Sequence, residues 1–117
     1  MTPESMDAVF QALGSAARRK VLDVVRNSPG CSVNDVSEHF DMSRIAVMKH
    51  LRVLVNAKLL ISQKHGRTRR LYFNAVPIQM IHDRWTSEYS AFWAGRLMDI
   101  KVRVESGNQR KRNKKGK

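Results

Sequence analysis

The chain has 117 residues, with 22 Lys or Arg against 10 Asp or Glu, and its formal net charge of +12 at pH 7 suits a polyanionic partner. This length fits one domain, and a single cysteine excludes an internal disulfide, which suits a reducing cytoplasm. No apolar run approaches the roughly 18 residues that a membrane-spanning helix needs, and the N-terminus lacks the pattern of a signal peptide.

The first two helices are marked by their start and stop signals. Pro3 suits the first position of a helix that ends at Gly14. Its apolar residues recur at helical spacing, at Met6, Val9, Phe10 and Leu13. Ser15 can cap a second helix, which ends at Asn27-Ser28-Pro29-Gly30. Arg18, Arg19 and Lys20 begin that helix, where its dipole disfavours cations, and either phosphate contact or plain solvation could account for them.

Residues 32–57 predict two short helices joined by a tight turn. Ser32 can cap the first, which runs to about His39, with Asp35 at the reciprocal capping position. Ser43 can cap the second, which runs to about Ala57. Its buried stripe is Val47, Leu51 and Leu54, and most of its other side carries Arg44, Met48, Lys49 and Arg52. A helix packed by one stripe and basic on the other can present that basic side to a DNA major groove.

Residues 59–74 predict a β-hairpin, because the apolar period changes from helical spacing to alternation. The residues predicted to form its inner face are Leu59, Ile61, Leu71 and Phe73. Its connection, His65-Gly66-Arg67-Thr68, lies within a basic tip suited to contacting phosphates; the cations there are Lys64, Arg67, Arg69 and Arg70.

Pro77 predicts the start of a long helix that runs to about Glu105. Its apolar residues lie mainly three or four positions apart, at Ile78, Ile81, Trp85, Tyr89, Phe92, Leu97, Ile100 and Val104, and Trp93 widens the stripe. Because aromatic residues are enriched in interface cores, we favour helix pairing between two subunits. Packing on its own domain and a ligand pocket among the rings are the alternatives.

The positive charge is uneven along the chain. Residues 107–117 hold six Lys or Arg and no acidic residue, which leaves a net charge of +6 for residues 1–106. Such a composition cannot bury a core, so we expect one folded domain over 1–106 and a disordered basic tail over 107–117. That tail either adds non-specific attraction to nucleic acid or is simply a solvated terminus.

From about Val9 to Glu105, the chain resembles the ArsR/SmtB family of winged-helix repressors. The residues that carry the resemblance are Phe10-Gln11-Ala12-Leu13-Gly14-Ser15 with Arg18 and Val21-Leu22, Met42 to Leu51, Leu54 with Ala57 to Leu60, and Lys64 to Tyr72. Asp83-Arg84-Trp85 with Tyr89, Phe92-Trp93 and Arg96-Leu97 is similar to a metal-independent branch. The resemblance implies a mainly α fold with a small β-hairpin: a winged helix-turn-helix with a long C-terminal dimerisation helix.

Family members are homodimers that repress by occupying an operator overlapping a promoter. The resemblance implies DNA contacts at Ser43, Arg44, Met48, Lys49, His50, Arg52, Lys64, Arg67, Arg69 and Arg70. It also implies a dimer interface built from the first and last helices, with Phe10, Ile81, Trp85, Tyr89, Phe92, Trp93 and Ile100. Arg44-Ile45 replaces the Gln-Pro pair common in the family, so Arg44 could contact a guanine edge or a phosphate.

A metal-responsive switch is not expected. A thiolate site needs closely spaced cysteines, whereas Cys31 stands alone. The last helix offers only His82-Asp83 and Glu88, with no second histidine downstream. Cys31 as a redox switch stays an alternative. The sequence also lacks a nucleophile–base pairing and a glycine-rich phosphate loop, so we expect neither a cofactor nor an enzyme activity.

Together these features predict a homodimeric, sequence-specific transcriptional repressor that binds an inverted-repeat operator in the cytoplasm without a metal effector. A non-specific nucleic-acid-binding protein, associated with the nucleoid or with RNA and driven by the basic tail, is the main alternative. A winged helix that binds another protein is a third.

Overall fold

The computed structural model describes residues 1–87 and 94–104, and the chain divides into two compact units, residues 1–81 and 82–117. The named elements are α1 (Pro3–Leu13), α2 (Ala16–Asn27), α3 (Val33–Ser37), α4 (Arg44–Asn56), β1 (Leu60–His65), β2 (Thr68–Phe73) and α5 (Val76–Thr86). The predicted order of helices with a two-stranded antiparallel hairpin is confirmed, and it is the order of a winged helix-turn-helix. Among the described residues, no helix is both long and apolar enough to cross a membrane.

The predicted helix starts are confirmed by their caps. The hydroxyl groups of Ser15, Ser32 and Ser43 each accept a hydrogen bond from the backbone N–H three residues later. At Ser32 the Asp35 carboxylate also accepts from the Ser32 N–H, which completes the reciprocal box. α3 ends at Ser37 rather than near His39, because the N–H groups of His39 and Phe40 donate to carbonyls only three residues back and tighten the chain into a turn.

The core of the first unit lies between α1, α2, α4 and the base of the hairpin. Val47, Leu51 and Leu54 are buried as predicted, which fixes one side of α4. The other core residues are Val9, Ala12, Val21, Leu22, Val25, Cys31, Val36, Ala57, Leu59, Leu60 and Leu71.

The register of the hairpin corrects one predicted residue. Leu60 lies opposite Phe73, and Ile61 lies opposite Tyr72 on the outer face, where its side chain is 44% exposed. The prediction of Ile61 on the inner face is wrong, because Lys58 adopts a positive φ of 65° and Leu59 is buried before the strand begins. Leu59 and Leu60 are therefore both buried, and the alternation of β1 begins at Leu60, one residue later than predicted.

The base of β2 is joined to the loop before α3. The Gly30 N–H donates to the Leu71 carbonyl at 2.8 Å, and the Leu71 N–H donates to the Cys31 carbonyl at 2.9 Å. The hairpin is thus hydrogen-bonded to the chain that leads directly into Ser32 and α3.

The cations at the start of α2 stabilise neighbouring helix ends. Arg18 donates to the Ala12 and Gln11 carbonyls at 2.8 and 2.7 Å, and Arg19 donates to the Leu13 carbonyl at 2.6 Å. These acceptors are carbonyls in the last turn of α1, where cations are favoured. Lys20 donates to the His39 carbonyl, with its Nζ 4.8 Å from the centre of the Phe40 ring. Arg18 is partly buried by these contacts, whereas Arg19 and Lys20 stay exposed, so each of the three cations makes a contact within the fold in addition to any exposure to solvent.

The single long helix predicted from Pro77 to Glu105 is not confirmed. α5 begins at Val76, whose N–H donates to the Asn74 side chain, and ends at Thr86. Residues 94–104 are also helical. Tyr89, Phe92, Trp93 and the acidic residues Glu88 and Glu105 lie outside the described residues, as do the predicted domain boundary at 106 and the tail.

Candidate nucleic-acid interface

The outward side of α4 is strongly basic. Arg44, Lys49 and Arg52 are exposed, and Met48 is 44% exposed, all away from the buried stripe. Ser43 is also exposed while its hydroxyl caps the helix, and His50 is half-buried at the edge of this side. Most of the residues predicted on α4 therefore share one accessible surface.

A groove separates α4 from the hairpin and brings four of the predicted residues together. It has a volume of about 360 Å³, and its lining is Ser32, Val33, Asn34, Arg44, Met48, Arg67, Thr68 and Arg69. We call it the basic groove. The predicted residues Ser43, Lys49, His50, Arg52, Lys64 and Arg70 do not line it.

Strand alternation explains why Arg69 lines the basic groove and Arg70 does not. Arg69 shares its face of β2 with the buried Leu71, the face directed toward the core, and its guanidinium lies 3.4 Å from the Ser62 hydroxyl. Arg70 points to the other face, beside Gln63. Arg67 follows Gly66, whose positive φ of 61° suits the first central position of a type II′ turn.

Asn34 is a residue of the groove that sequence reasoning missed. Its Oδ1 accepts a hydrogen bond from Nη1 of Arg44, which joins α3 to the first turn of α4. The available signal was weak: an exposed polar residue inside the Ser32–Asp35 capping box. Thr68 was noted only as part of the turn, and its hydroxyl donates to the His65 carbonyl at 3.0 Å.

The positive charge of the basic groove is not neutralised locally. In the described part of the chain, Arg44, Arg67 and Arg69 have no carboxylate within ion-pair distance. Asp35 follows the groove residue Asn34 in the chain, and hydrogen bonds from the backbone N–H and side chain of Ser32 hold the pKa of its carboxyl below the usual value. That carboxylate is already used in the α3 cap, so the groove can accept an external anion.

Cys31 lies in the core and not on this surface. Burial raises the pKa of its thiol, and the nearby negative charge of Asp35 raises it further. Because the thiolate is the reactive form, these surroundings disfavour the alternative of a redox switch. Over residues 1–87 and 94–104, no cluster of three His, Cys, Asp or Glu side chains could hold a metal ion.

The predicted interface residues divide into two groups. Phe10 in the first unit is 47% exposed, and Trp85 and Ile100 in the second are 60% and 55% exposed. Ile81 instead packs partly against the core of its own chain. The other predicted interface residues, Tyr89, Phe92 and Trp93, lie outside the described part.

Comparison with known proteins identifies a matching family and individual relatives. The family described as bacterial regulatory protein, arsR family, matches residues 15–62. The uncharacterized HTH-type transcriptional regulator YuzN of Bacillus subtilis (strain 168) is 34% identical over 68% of this chain and 92% of that protein. The transcriptional repressor SdpR of the same organism is 28% identical over 63% of this chain and 81% of its own length. The crystal structure of an ArsR family transcriptional regulator superposes with a TM-score of 0.66 and 29% identity, covering 80% of this chain and 95% of that one.

Proposed function

This chain belongs to the ArsR family of bacterial regulatory proteins, and on that premise we propose that it is a homodimeric repressor that binds an inverted-repeat operator without a metal effector. As a member of the family it is a DNA-binding transcriptional regulator and not an enzyme. The observation that carries the proposal is the basic groove between α4 and the hairpin.

The basic groove fits one strand of a DNA backbone. With α4 in the major groove and the hairpin beside it, the sugar-phosphate strand that separates the major from the minor groove passes between the two elements. Arg44, Arg67 and Arg69 would then neutralise its phosphates. We assign Arg44 to a phosphate, since its guanidinium is hydrogen-bonded to Asn34 and lines this groove.

The other predicted residues would lie on either side of that DNA strand. Lys49 and Arg52 lie on the outward face of α4, where side chains would reach base edges, and Met48 lines the edge of the basic groove beside them. Ser43, His50, Lys64 and Arg70 would contact flanking backbone and so fix the orientation of the domain.

The proposed dimer uses the exposed apolar side chains Phe10, Trp85 and Ile100. Large aromatic residues are enriched in the cores of interfaces. A two-fold axis would place two copies of α4 in successive major grooves, about 34 Å apart, which requires an inverted repeat. The name of the relative SdpR supports repression. A DNA target and a lone cysteine both suit the cytoplasm.

Selection of bound duplexes from a random DNA pool tests this function. We expect an inverted repeat, bound at about 150 mM salt more tightly than a scrambled duplex, since specific and non-specific affinities differ widely there. Equal affinity for both duplexes would contradict the proposal and favour a non-specific nucleic-acid-binding protein. Deletion of residues 107–117 should weaken binding to both duplexes alike.

Two lysine variants sharpen the same experiment. Lys49→Ala should lower the preference for the selected site by about 1–3 kcal/mol, the cost of a lost base contact. Lys64→Ala, at the hairpin tip, should weaken binding to both duplexes and leave the preference unchanged. Identical behaviour of the two variants would argue against base contact by Lys49.

A further inference from the structure

Ile45 is the most exposed large hydrophobic residue of the described chain. Its side chain is 71% exposed, although it stands at the second position of α4, one residue after Arg44. Single apolar side chains at a surface are common and need no explanation by themselves. The position of Ile45 on α4, however, bears on what this helix contacts.

Helical geometry places Ile45 at the centre of the outward face. Residues i, i+4 and i+7 align on a helix, so Ile45 shares a row with Lys49 and Arg52. This row lies opposite the row of Val47, Leu51 and Leu54, all of which are buried. Ile45 therefore faces away from the core in the first turn, on the side of α4 that also carries Lys49 and Arg52.

The surrounding charge selects the chemistry of the partner. A face with Arg44, Lys49 and Arg52 is complementary to a polyanion. On base edges in the DNA major groove, the apolar group is the C5-methyl of thymine. We propose that Ile45 contacts this methyl group and makes thymine the preferred base at one position of each half-site.

The side chain of Ile45 and its position in the first turn of α4 suit a contact with a methyl group. This inference rests on the proposed function. A β-branched residue in a helix keeps one preferred χ1 rotamer, so little freedom is lost on binding. The Ser43 cap before it and the buried Val47 after it hold the first turn in place. Met48, three residues on and 44% exposed, continues the apolar surface toward the basic groove.

Replacement of single thymines by deoxyuridine tests the proposal, because deoxyuridine keeps the pairing with adenine and lacks only the methyl group. The probe is the duplex selected from the random pool, substituted one thymine at a time in each half-site. For the unaltered protein we expect one position at which the substitution weakens binding about fourfold, the factor for one buried methyl group. Ile45→Ala should bind the two duplexes equally at that position, and Ile45→Val should keep part of the difference.

Ile61→Ala is the matched control, since Ile61 is also exposed but lies on the outer face of the hairpin. This variant should keep the full difference in affinity between the thymine duplex and the deoxyuridine duplex. Equal binding of both duplexes by the unaltered protein at every position would overturn the proposal, as would a difference that persists in Ile45→Ala. Either result leaves the repressor function standing if the protein still selects a site; failure to select any site overturns both.

Discussion

The guanidinium of Arg44 donates through Nη1 to Oδ1 of Asn34, ten residues earlier on α3. This hydrogen bond spans the two helices of the helix-turn-helix, and both residues line the basic groove. Because the five donors of a guanidinium form a rigid fork, holding one of them fixes the direction of the others. Asn34 thus orients the donors that Arg44 would offer to a phosphate in the proposed complex.

Arg44→Ala should weaken binding to the selected operator and to a scrambled duplex by the same factor, because a phosphate contact carries no sequence information. The slope of log K against log salt should fall by about 1. Asn34→Ala should also weaken binding to both duplexes and lower the salt slope, each by a smaller amount. Binding titrations over a series of salt concentrations measure both quantities.

Asn27→Ala, an exposed change at the end of α2, is the control for Asn34→Ala. It should alter neither the affinity for the duplexes nor the salt slope. A loss for Arg44→Ala that is confined to the operator would identify Arg44 as a base contact instead.

Arg18→Met should lower the free energy of unfolding by about 2 kcal/mol, because hydrogen bonds from a charged group to the Ala12 and Gln11 carbonyls are lost. Methionine keeps the apolar stem, so the change isolates the guanidinium. Urea unfolding measures the difference. Arg26→Met is the matched control, since the contact of Arg26 within the described residues is an exposed 3.7 Å ion pair with Asp23, and it should change stability little. Equal stability of both variants would mean that the Arg18 contacts contribute nothing.

Trp85→Ala should shift the protein from dimer to monomer in sedimentation velocity at micromolar concentration. Trp85 is 60% exposed in the single chain, and loss of its indole would remove a large part of the proposed interface. Phe10→Ala should weaken the dimer in the same direction. Ile61→Ala, on the outer face of the hairpin, should leave the dimer intact. An unchanged dimer in Trp85→Ala would remove this residue from the interface.

The thiol of Cys31 should react slowly with iodoacetamide at pH 8 in the folded chain and faster in urea, because burial raises its pKa and reduces the thiolate fraction. The folded chain then holds the thiol proton to higher pH than the unfolded chain does. The free energy of unfolding should therefore decrease as pH rises above about 8.5, the ordinary thiol value. Mass spectrometry measures the rate of alkylation, and urea unfolding measures the free energy of unfolding at each pH. Cys31→Ala should abolish the contribution of this thiol to the pH dependence. A reaction rate equal in folded and unfolded chains would contradict the assignment.

Local signals predicted most of the fold. The caps at Ser15, Ser32 and Ser43 depend on residues three positions away, so the sequence displays both partners. The buried stripe of α4 follows from helical spacing alone. The predicted inner face of β1 is wrong by one residue, because the positive φ of Lys58, a non-glycine residue, has no sequence signal.

The site was harder to predict because it depends on packing between elements. Arg67 and Arg69 were predicted from composition, but their position beside Arg44 follows from how the hairpin packs on α3 and α4. Asn34 and Arg18 acquire their roles from partners ten and six or seven residues away, in other elements. These contacts cross from one element to another, so no pattern within a single helix or strand marks them.

The backbone hydrogen bonds of Leu71 with Gly30 and Cys31 have a mechanical consequence. They join the hairpin to the segment that starts the helix-turn-helix, so the hairpin cannot tilt without pulling on α3. In the proposed dimer, the hairpin and the helix-turn-helix of each subunit would then move together, so loosening the hairpin alone would do little to release DNA. We expect the release of DNA to come from a change in the separation of the two DNA-binding domains.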